Sequence, residues 1–438
     1  MGSTTPSAPV RKDDASAKGV VVLAYSGGLD TSFCVVHLKG LGHDVVTAIV
    51  NTGGHTDEDL RAIEKKALAL GATRHLTIDG RRELWDRIVS VLIRGNVLRG
   101  GVYPLAVAAE RVIQAEKIVD VARREGALAV AHGCTGAGND QARFEAAFTV
   151  LAPDLEVIAP IRDLGLTRAE EAEILAKAGH PVSAATRDYS VNTGLWGTTV
   201  GGKETHDPYR LPPEDVYGSG TKLAATPSEP ELVEIAFRAG LPVALDGRPM
   251  EGLEIVRRLN EAAARHAAGR GIHVGDTVLG FKGRIVFEAP APMILIRAHR
   301  ELEKLVLTQE QQSQKERVAE RYGQLVHEGL YYEPACRDME ALIASSQARV
   351  EGDARVRLFK GSFDVVGTRS PYSLFDPELA VYGEKSRFLD AAAVRGFARV
   401  KAVPGMLYHR AGRRGAAGKD AARTGSEREA ARERPRPE

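Results

Sequence analysis

The residues best suited to chemistry lie at Ala24-Tyr25-Ser26-Gly27-Gly28-Leu29-Asp30-Thr31-Ser32. Two glycines, three short hydroxyls and a carboxylate fall within nine positions. Before them, Val20-Val21-Val22-Leu23 is the apolar, β-branched run expected of a strand buried on both faces of a parallel sheet. After them, Phe33 to Leu38 reads as the first turns of a helix. Strand, glycine-rich turn and helix together hold phosphate, because glycine lets the backbone approach, free N–H groups point outward and the helix dipole favours negative charge. No Gly-Lys-Ser/Thr follows, so the loop is not a Walker A loop, and it is not G-x-G-x-x-G either. An ordinary strand-to-helix turn is the plain alternative, but the three hydroxyls favour a phosphate site.

Two further segments carry dense polar groups just after apolar runs. Asn51-Thr52-Gly53-Gly54 follows Val45 to Val50, and His132 to Arg143 follows Ala127 to Ala131. The second contains Gly133, Thr135, Asn139, Asp140 and Arg143. Asn139 and Asp140 could be a helix cap and Arg143 a solvated charge. A binding site is the better reading of so many polar groups after a buried strand.

The elements that must position these segments alternate. Strands are expected at 20–23, 45–50, 75–78, 127–131 and 155–159, with helices over 83–94 and 107–124. Thr56 with Asp59 opens a helix running to Leu70, and Thr167 with Glu170 opens one ending near Gly179. Alternation of this kind predicts an α/β, doubly wound parallel sheet over residues 19–180, with ligands at the carboxyl ends of its strands. From Pro181 the texture changes, and residues 181–375 read as an α+β domain. Expected there are a half-buried strand at 231–237 and a helix at 253–268. A strand-like stretch at 276–287, a helical region at 292–328 broken near Leu307, and a hairpin across Gly361-Ser362 follow. Residues 376–410 read as a C-terminal helical arm, with a helix at 391–400, and residues 1–18 and 411–438 as disordered tails.

A chain of 438 residues can bury a large core in two or more domains. Its net charge of +1 gives no electrostatic argument for nucleic acid or membrane partners. Cys34, Cys134 and Cys336 form no C-x-x-C, so neither a metal site of the protein's own nor a disulfide framework is suggested. That usage, with no signal peptide and no apolar run of transmembrane length, fits a reducing, cytoplasmic setting.

The pattern Ser-Gly-Gly-x-Asp-Thr resembles the pyrophosphate loop of N-type ATP pyrophosphatases, which split ATP between its α and β phosphates. The whole set of motifs resembles one family closely, argininosuccinate synthase, over roughly residues 19–400. The segments are Ala24 to Ser32, Tyr103-Pro104-Leu105, His132 to Arg143, Pro160-Ile161-Arg162, Pro212 to Val216, Pro242 to Gly247 and Ser370 to Leu374. The resemblance implies an ATP-dependent ligase of arginine biosynthesis that joins citrulline and aspartate through citrullyl-AMP, with Mg2+ sharing the phosphate charge. It implies a homotetramer whose C-terminal helices are exchanged between subunits.

By that resemblance Ala24, Tyr25, Ser26, Gly27, Gly28, Leu29, Asp30, Thr31, Ser32, Val50 and Gly133 would hold ATP. Thr135, Asn139 and Asp140 would hold aspartate. Tyr103, Ala108, Asn139, Arg143, Ser190, Thr199, Gly275 and Phe287 fall where the family binds citrulline. Asp30, Asp140 and Arg143 would carry the charge work of catalysis. Several positions depart from the family pattern. Ala108 stands where the family has serine, Gly54 where it has glutamine, and Ala137 where it has lysine. Thr199 replaces serine, Gly275 glutamate and Phe287 tyrosine. The ATP and aspartate halves are intact, whereas the pocket for the amino-acid end of citrulline has lost polar groups. The acceptor is therefore free citrulline, with a group such as Asp276 replacing the lost carboxylate, or a citrulline whose α-amine is acylated.

Two other classes compete. An RNA-modifying pyrophosphatase-loop enzyme would need a basic surface and, for thiolation, a reactive cysteine pair, and neither is present. A non-enzymatic nucleotide-binding module would be much shorter.

Overall fold

The computed structural model describes residues 18–183, 188–384 and 386–432, with side chains described from 19 to 419. The expected tail at 1–17 and the last six residues lie outside that range. Contacts divide the chain into two units, up to Ser373 and from Leu374 onward.

The first unit is built on a five-stranded parallel sheet. Its strands are β1 (Lys18–Ala24), β2 (His43–Asn51), β3 (Arg74–Asp79), β4 (Ala129–His132) and β5 (Glu156–Ile158), in spatial order β3-β2-β1-β4-β5. The chain steps outward from β1 to β3 and then returns to the other side of β1 with β4. The crevice between the carboxyl ends of β1 and β4 is thus the topological switch point, where such sheets bind ligands. Alternate β1 side chains go to opposite faces. Val21 and Leu23 pack with Leu29, Phe33 and Leu38 of helix α1 (Leu29–Gly40). Val22 packs with β2 residues Val46, Ala48 and Val50 against the other face. The sheet is covered on both sides, as the apolar runs required.

Capping behaves as the sequence predicts. Thr56 and Asp59 form a capping box at the start of α2 (Asp57–Ala69). The expected helix at 83–94 is interrupted: α3 (Arg81–Leu84) leads into a π-turn (Trp85–Val89) and then α4 (Ser90–Gly95). Helix α5 (Ala106–Glu125) starts from Leu105 in the left-handed region at φ 60°, and α6 (Asn139–Leu151) follows β4. After α7 (Pro160–Leu164), Thr167 and Glu170 form the box of α8 (Arg168–Lys177).

Past residue 188 the strands turn antiparallel. Strands β6 (Tyr189–Gly194) and β7 (Gly197–Gly202) were not legible in the glycine- and threonine-rich sequence, because period-2 burial is absent there. The run expected as a strand at 276–287 is instead the distal part of a hairpin, β11 (Arg270–Asp276) and β12 (Lys282–Glu288). These four make a sheet in the order β11-β12-β7-β6. A second antiparallel sheet contains β8 (Glu231–Arg238), β9 (Leu241–Leu245), β10 (Arg248–Pro249), β13 (Gly352–Phe359) and β14 (Ser362–Arg369). Helix α9 (Gly252–Arg265) follows β10. Helices α10 (Pro290–Val306) and α11 (Gln309–Glu328) are separated at Leu307 and Thr308, where the sequence predicted a break. Helix α12 (Ala335–Ser346) completes the first unit.

The two halves on either side of residue 181 are one packed body. A single apolar cluster contains Val22 and Val50 of the parallel sheet, Ile113 of α5, Trp196, Phe237 of β8, Leu295 of α10 and Tyr322 of α11. Beneath it lies a buried polar network: Lys315 Nζ meets Glu303 Oε2 at 2.6 Å and donates to Arg94 O at 2.7 Å. Asn96 Nδ2 donates to Glu303 Oε1, and the His299 ring joins Asn96 to Gln347.

In the second unit the helix expected at 391–400 runs on as α13 (Ala391–Arg432). The reading of 411–438 as a disordered tail is corrected to residue 432. Alanine, arginine, glutamate and lysine are strong helix formers, so losing large apolar side chains removes packing partners and leaves helix propensity intact.

Candidate functional site

A cavity of about 1170 Å3 opens at the switch point. Its floor is the loop after β1. Gly28 N donates to Ser26 Oγ at 3.4 Å, and Ser26 Oγ lies 3.3 Å from Thr31 Oγ1. Ala24, Tyr25, Ser26, Gly28, Leu29, Asp30 and Thr31 all line the cavity, as do Val50 and Gly133. Two expected members do not. Gly27, at φ 75°, turns its carbonyl to Lys66 Nζ at 2.6 Å. Ser32 is fully buried and its hydroxyl donates to Gly28 O at 2.5 Å. Both shape the loop from behind it. Gly133 closes the opposite side: a Cβ there would stand 3.0 Å from the backbone N of Thr31, so glycine is what lets the two loops approach.

Asp30, in the first turn of α1, accepts from Arg168 Nη1 at 2.6 Å. Burial pushes the Asp30 carboxyl up against the opposing pull of Arg168. Its fully buried neighbour Glu171 is pushed up to about 8, first by burial and then by the charge of Asp30. A carboxylate, two hydroxyls and an outward-facing turn are oxygen-rich enough to accept a magnesium ion carried in by phosphates.

The other wall is made by α5 and α6. Arg111 Nη2 donates to Asp140 Oδ2 at 2.8 Å and to Asn192 Oδ1 at 2.6 Å. Arg143 Nη1 donates to Asp140 Oδ1 at 2.7 Å. Burial opposes ionisation of Asp140, yet the two guanidiniums outweigh it and hold the carboxyl below its ordinary range. Arg143 is itself fixed by α11, its Nε donating to His327 O at 2.8 Å and its Nη2 lying 3.0 Å from His327 Nδ1. Asn139 Oδ1 accepts from Val278 N at 2.8 Å, tying the start of α6 to the β11–β12 turn. Thr135, Asn139, Asp140 and Arg143 all face the cavity, as the sequence predicts.

At the far end Tyr103, Ser190, Thr199 and Gly275 line the cavity, whereas Ala108 and Phe287 do not. Ala108 is 1% exposed and lines a small pocket beside Arg111 and Arg143, while Val107 lines the cavity itself. Phe287 is buried opposite Thr199 in the β12–β7 register, and its ring supports that of Tyr103 at 5.4 Å. Phe287 thus shares a sheet face with the cavity-lining Thr199 and Ile285 and is packed against the Tyr103 ring rather than open to the cavity.

Several lining groups were not picked out from the sequence. Arg99, Glu110, Arg111, Gln114, Arg168, Asn192, Lys203 and His273 all face the cavity. For α5 a signal existed: Val107, Glu110, Arg111, Gln114 and Ile118 recur at helical spacing, placing charges on one stripe. Glu110 is 3% exposed and is pushed up to about 8 by burial, against the pull of Arg111 and Thr52. Cys134, which lines the cavity, and Cys34, buried in the apolar cluster of α1, are both unactivated, since burial pushes each above the ordinary thiol range. Among the described residues no group of three or more His, Cys, Asp or Glu could hold a metal, and no helix is long and apolar enough to cross a membrane.

Comparison with known proteins places the chain. Residues 20–181 match the arginosuccinate synthase N-terminal HUP domain and residues 189–408 the arginosuccinate synthase C-terminal domain. The argininosuccinate synthase of Methanocaldococcus jannaschii is 41% identical over 390 residues, covering 89% of this chain and 98% of the relative. That of Bacillus subtilis is 40% identical over 385 residues, covering 88% and 95%. That of Thermosynechococcus vestitus is 40% identical over 392 residues, covering 89% and 97%.

Proposed function

This chain belongs to the argininosuccinate synthase family, ligases of arginine biosynthesis acting on small molecules, and on that premise we propose that it joins a citrulline-type ureido acid to aspartate through an acyl-adenylate-like intermediate. The ureido oxygen attacks the α-phosphorus of ATP. The new P–O bond forms as the bond to the β-phosphate breaks, and pyrophosphate leaves with the electron pair. The aspartate nitrogen, once its ammonium has lost a proton, attacks the ureido carbon; a C–N bond forms, the bond from that carbon to the oxygen of the phosphate breaks, and AMP leaves with the electron pair. Neither step needs a side-chain nucleophile, which fits the two unactivated thiols. The catalytic work is positioning and charge neutralisation.

The observation that carries this reading is the facing of two built loops across one cavity. The Ser26–Thr31 turn offers backbone N–H and hydroxyl groups for the β- and γ-phosphates, with Val50 and Gly133 toward the nucleoside and α-phosphate. Magnesium, held with the phosphates by Asp30, would supply further charge neutralisation. Across from it, Asp140 uses one lone pair on each oxygen for Arg111 and Arg143, leaving the others to accept from the aspartate ammonium. Thr135 and Asn139 complete the aspartate end, and Arg143, Tyr103, Ser190 and Thr199 border the acceptor. We read the assembly as a homotetramer on the family resemblance, with Phe397, Val400 and Leu407 exposed along α13, a reading that gel filtration tests.

Product analysis tests the chemistry. Aspartate- and acceptor-dependent conversion of ATP to AMP and pyrophosphate is expected. ADP and phosphate, or turnover that requires tRNA, would reject it.

A further inference from the structure

The charged groups lining the cavity pair almost completely. Asp30 is held by Arg168, Asp140 by Arg111 and Arg143, and Asp188 by Lys203 at 2.7 Å. Asp276 pairs with Lys282 at 2.6 Å at the rim. Glu110, the remaining lining carboxyl, is closed in beside Thr52 on α5. Among the described residues one lining cation, Arg99, has no ion pair. Its only polar contact is Nη2 donating to Asp276 O at 2.7 Å. Beside it stands His273, stacked on Tyr103 at 5.7 Å, with a buried Nε2 that has no partner. That ring fills the room a side chain at 275 would need, because a Cβ on Gly275 would lie 2.6 Å from His273 Nε2. This end of the cavity therefore carries one cation without an ion pair and a buried, unpartnered ring nitrogen behind it, and its nearest carboxylates are Asp276, exposed and paired with Lys282, and Glu328.

An α-ammonium placed there would be desolvated beside Arg99 and would have to draw Asp276 from Lys282 for its counter-charge, which the site disfavours twice over, by lost hydration and by like-charge repulsion. A carboxylate would meet the Arg99 fork, with the His273 ring alongside. We infer that the Arg99–His273 end of the cavity selects a ureido acid whose α-nitrogen is acylated by a dicarboxylic acid, so that the nitrogen is neutral and the second carboxylate docks on Arg99. The inference rests on the ligase reading above and specifies the acceptor within it. Arg99 is then a specificity-determining residue, remote from the reacting ureido group.

The test compares kcat/KM for citrulline, N-acetylcitrulline and N-succinylcitrulline by pyrophosphate release at saturating ATP and aspartate, in the wild type, R99Q and R99K. One charge-assisted, bidentate contact is expected to favour the succinyl over the acetyl form by about 10- to 100-fold. Citrulline is expected at least about tenfold below the succinyl form, since its ammonium finds no partner. R99Q should collapse the succinyl-to-acetyl ratio to within about threefold, and R99K should restore part of it, keeping charge but not the fork. Because the ratio is internal to each variant, a partly unfolded preparation does not alter it. Citrulline within tenfold of the succinyl form or above it overturns the inference, as does a succinyl preference that is absent or survives R99Q. Pyrophosphate release with citrulline but neither acylated form overturns this inference alone. No release with any of the three overturns the ligase reading, and the inference with it.

Discussion

Asp140 on α6 is gripped from two helices: Arg143, one turn along, reaches Oδ1 at 2.7 Å, and Arg111 of α5 reaches Oδ2 at 2.8 Å. The carboxylate is the joint of the cavity wall and, in the function proposed above, the contact for the aspartate substrate. Replacing it by alanine would leave two mostly buried guanidiniums facing one another. We expect Asp140→Ala to lower stability by about 3 kcal/mol, the lower end for a broken buried pair because the aspartate keeps some exposure. Its kcat/KM for aspartate should fall by about 10- to 100-fold or more. Asp140→Asn keeps the shape and should recover stability better than activity. Thermal unfolding and aspartate kinetics read the two effects separately; a variant with unaltered aspartate kinetics would make Asp140 purely structural.

Glu110 makes stability depend on pH. Its carboxyl titrates at about 8 in the folded chain against an ordinary 4.5. Between those values the native state holds a proton that the unfolded state has released, so the unfolding free energy falls as pH rises through the window. The charged groups facing it are Arg111 and Asp140, with the Thr52 hydroxyl alongside. Glu110→Gln should flatten this slope and gain most over the wild type at the alkaline end. Unfolding midpoints measured across the window check it, and parallel curves would show that Glu110 is ionised throughout.

The Lys315–Glu303 pair is buried on both sides, with side-chain exposures of 0% and 3%. Lys315→Met strands the glutamate and should cost about 3–5 kcal/mol, whereas Lys315→Met with Glu303→Leu should recover much of that. Denaturant unfolding of the two single variants and the double variant gives the coupling. Additive losses would show that the pair does not act as a unit.

Ala108 is buried beside Arg111 and Arg143 and does not line the cavity, although its position in the sequence falls on an acceptor contact of the family. Ala108→Ser should change KM for the acceptor by no more than about twofold, while the buried hydroxyl lowers stability by about 1–2 kcal/mol. A tenfold change in KM would return residue 108 to the acceptor site.

What the sequence by itself determined is local. The apolar runs at Val20 and Val45, the capping boxes at Thr56 and Thr167, and the glycine-rich turn at Gly27-Gly28 each carry their own geometry within a few residues, and all appear where the pattern placed them. Motif order was enough for the family, and the paired polar segments after β1 and β4 were enough for a site at the switch point. What only the tertiary structure decided is which groups meet. Arg111 joins Asp140 across 29 residues, Arg168 reaches Asp30 across 138, and Arg99 stands beside the β11–β12 hairpin 177 residues away, reaching the backbone of Asp276. No local periodicity encodes such pairs, because they follow from how α5, α6, α8 and the antiparallel sheet pack around a shared core. The same packing buried Ala108 and Phe287 and left Arg99 without an ion pair, a balance of charge that appears only once the other lining groups have found their partners.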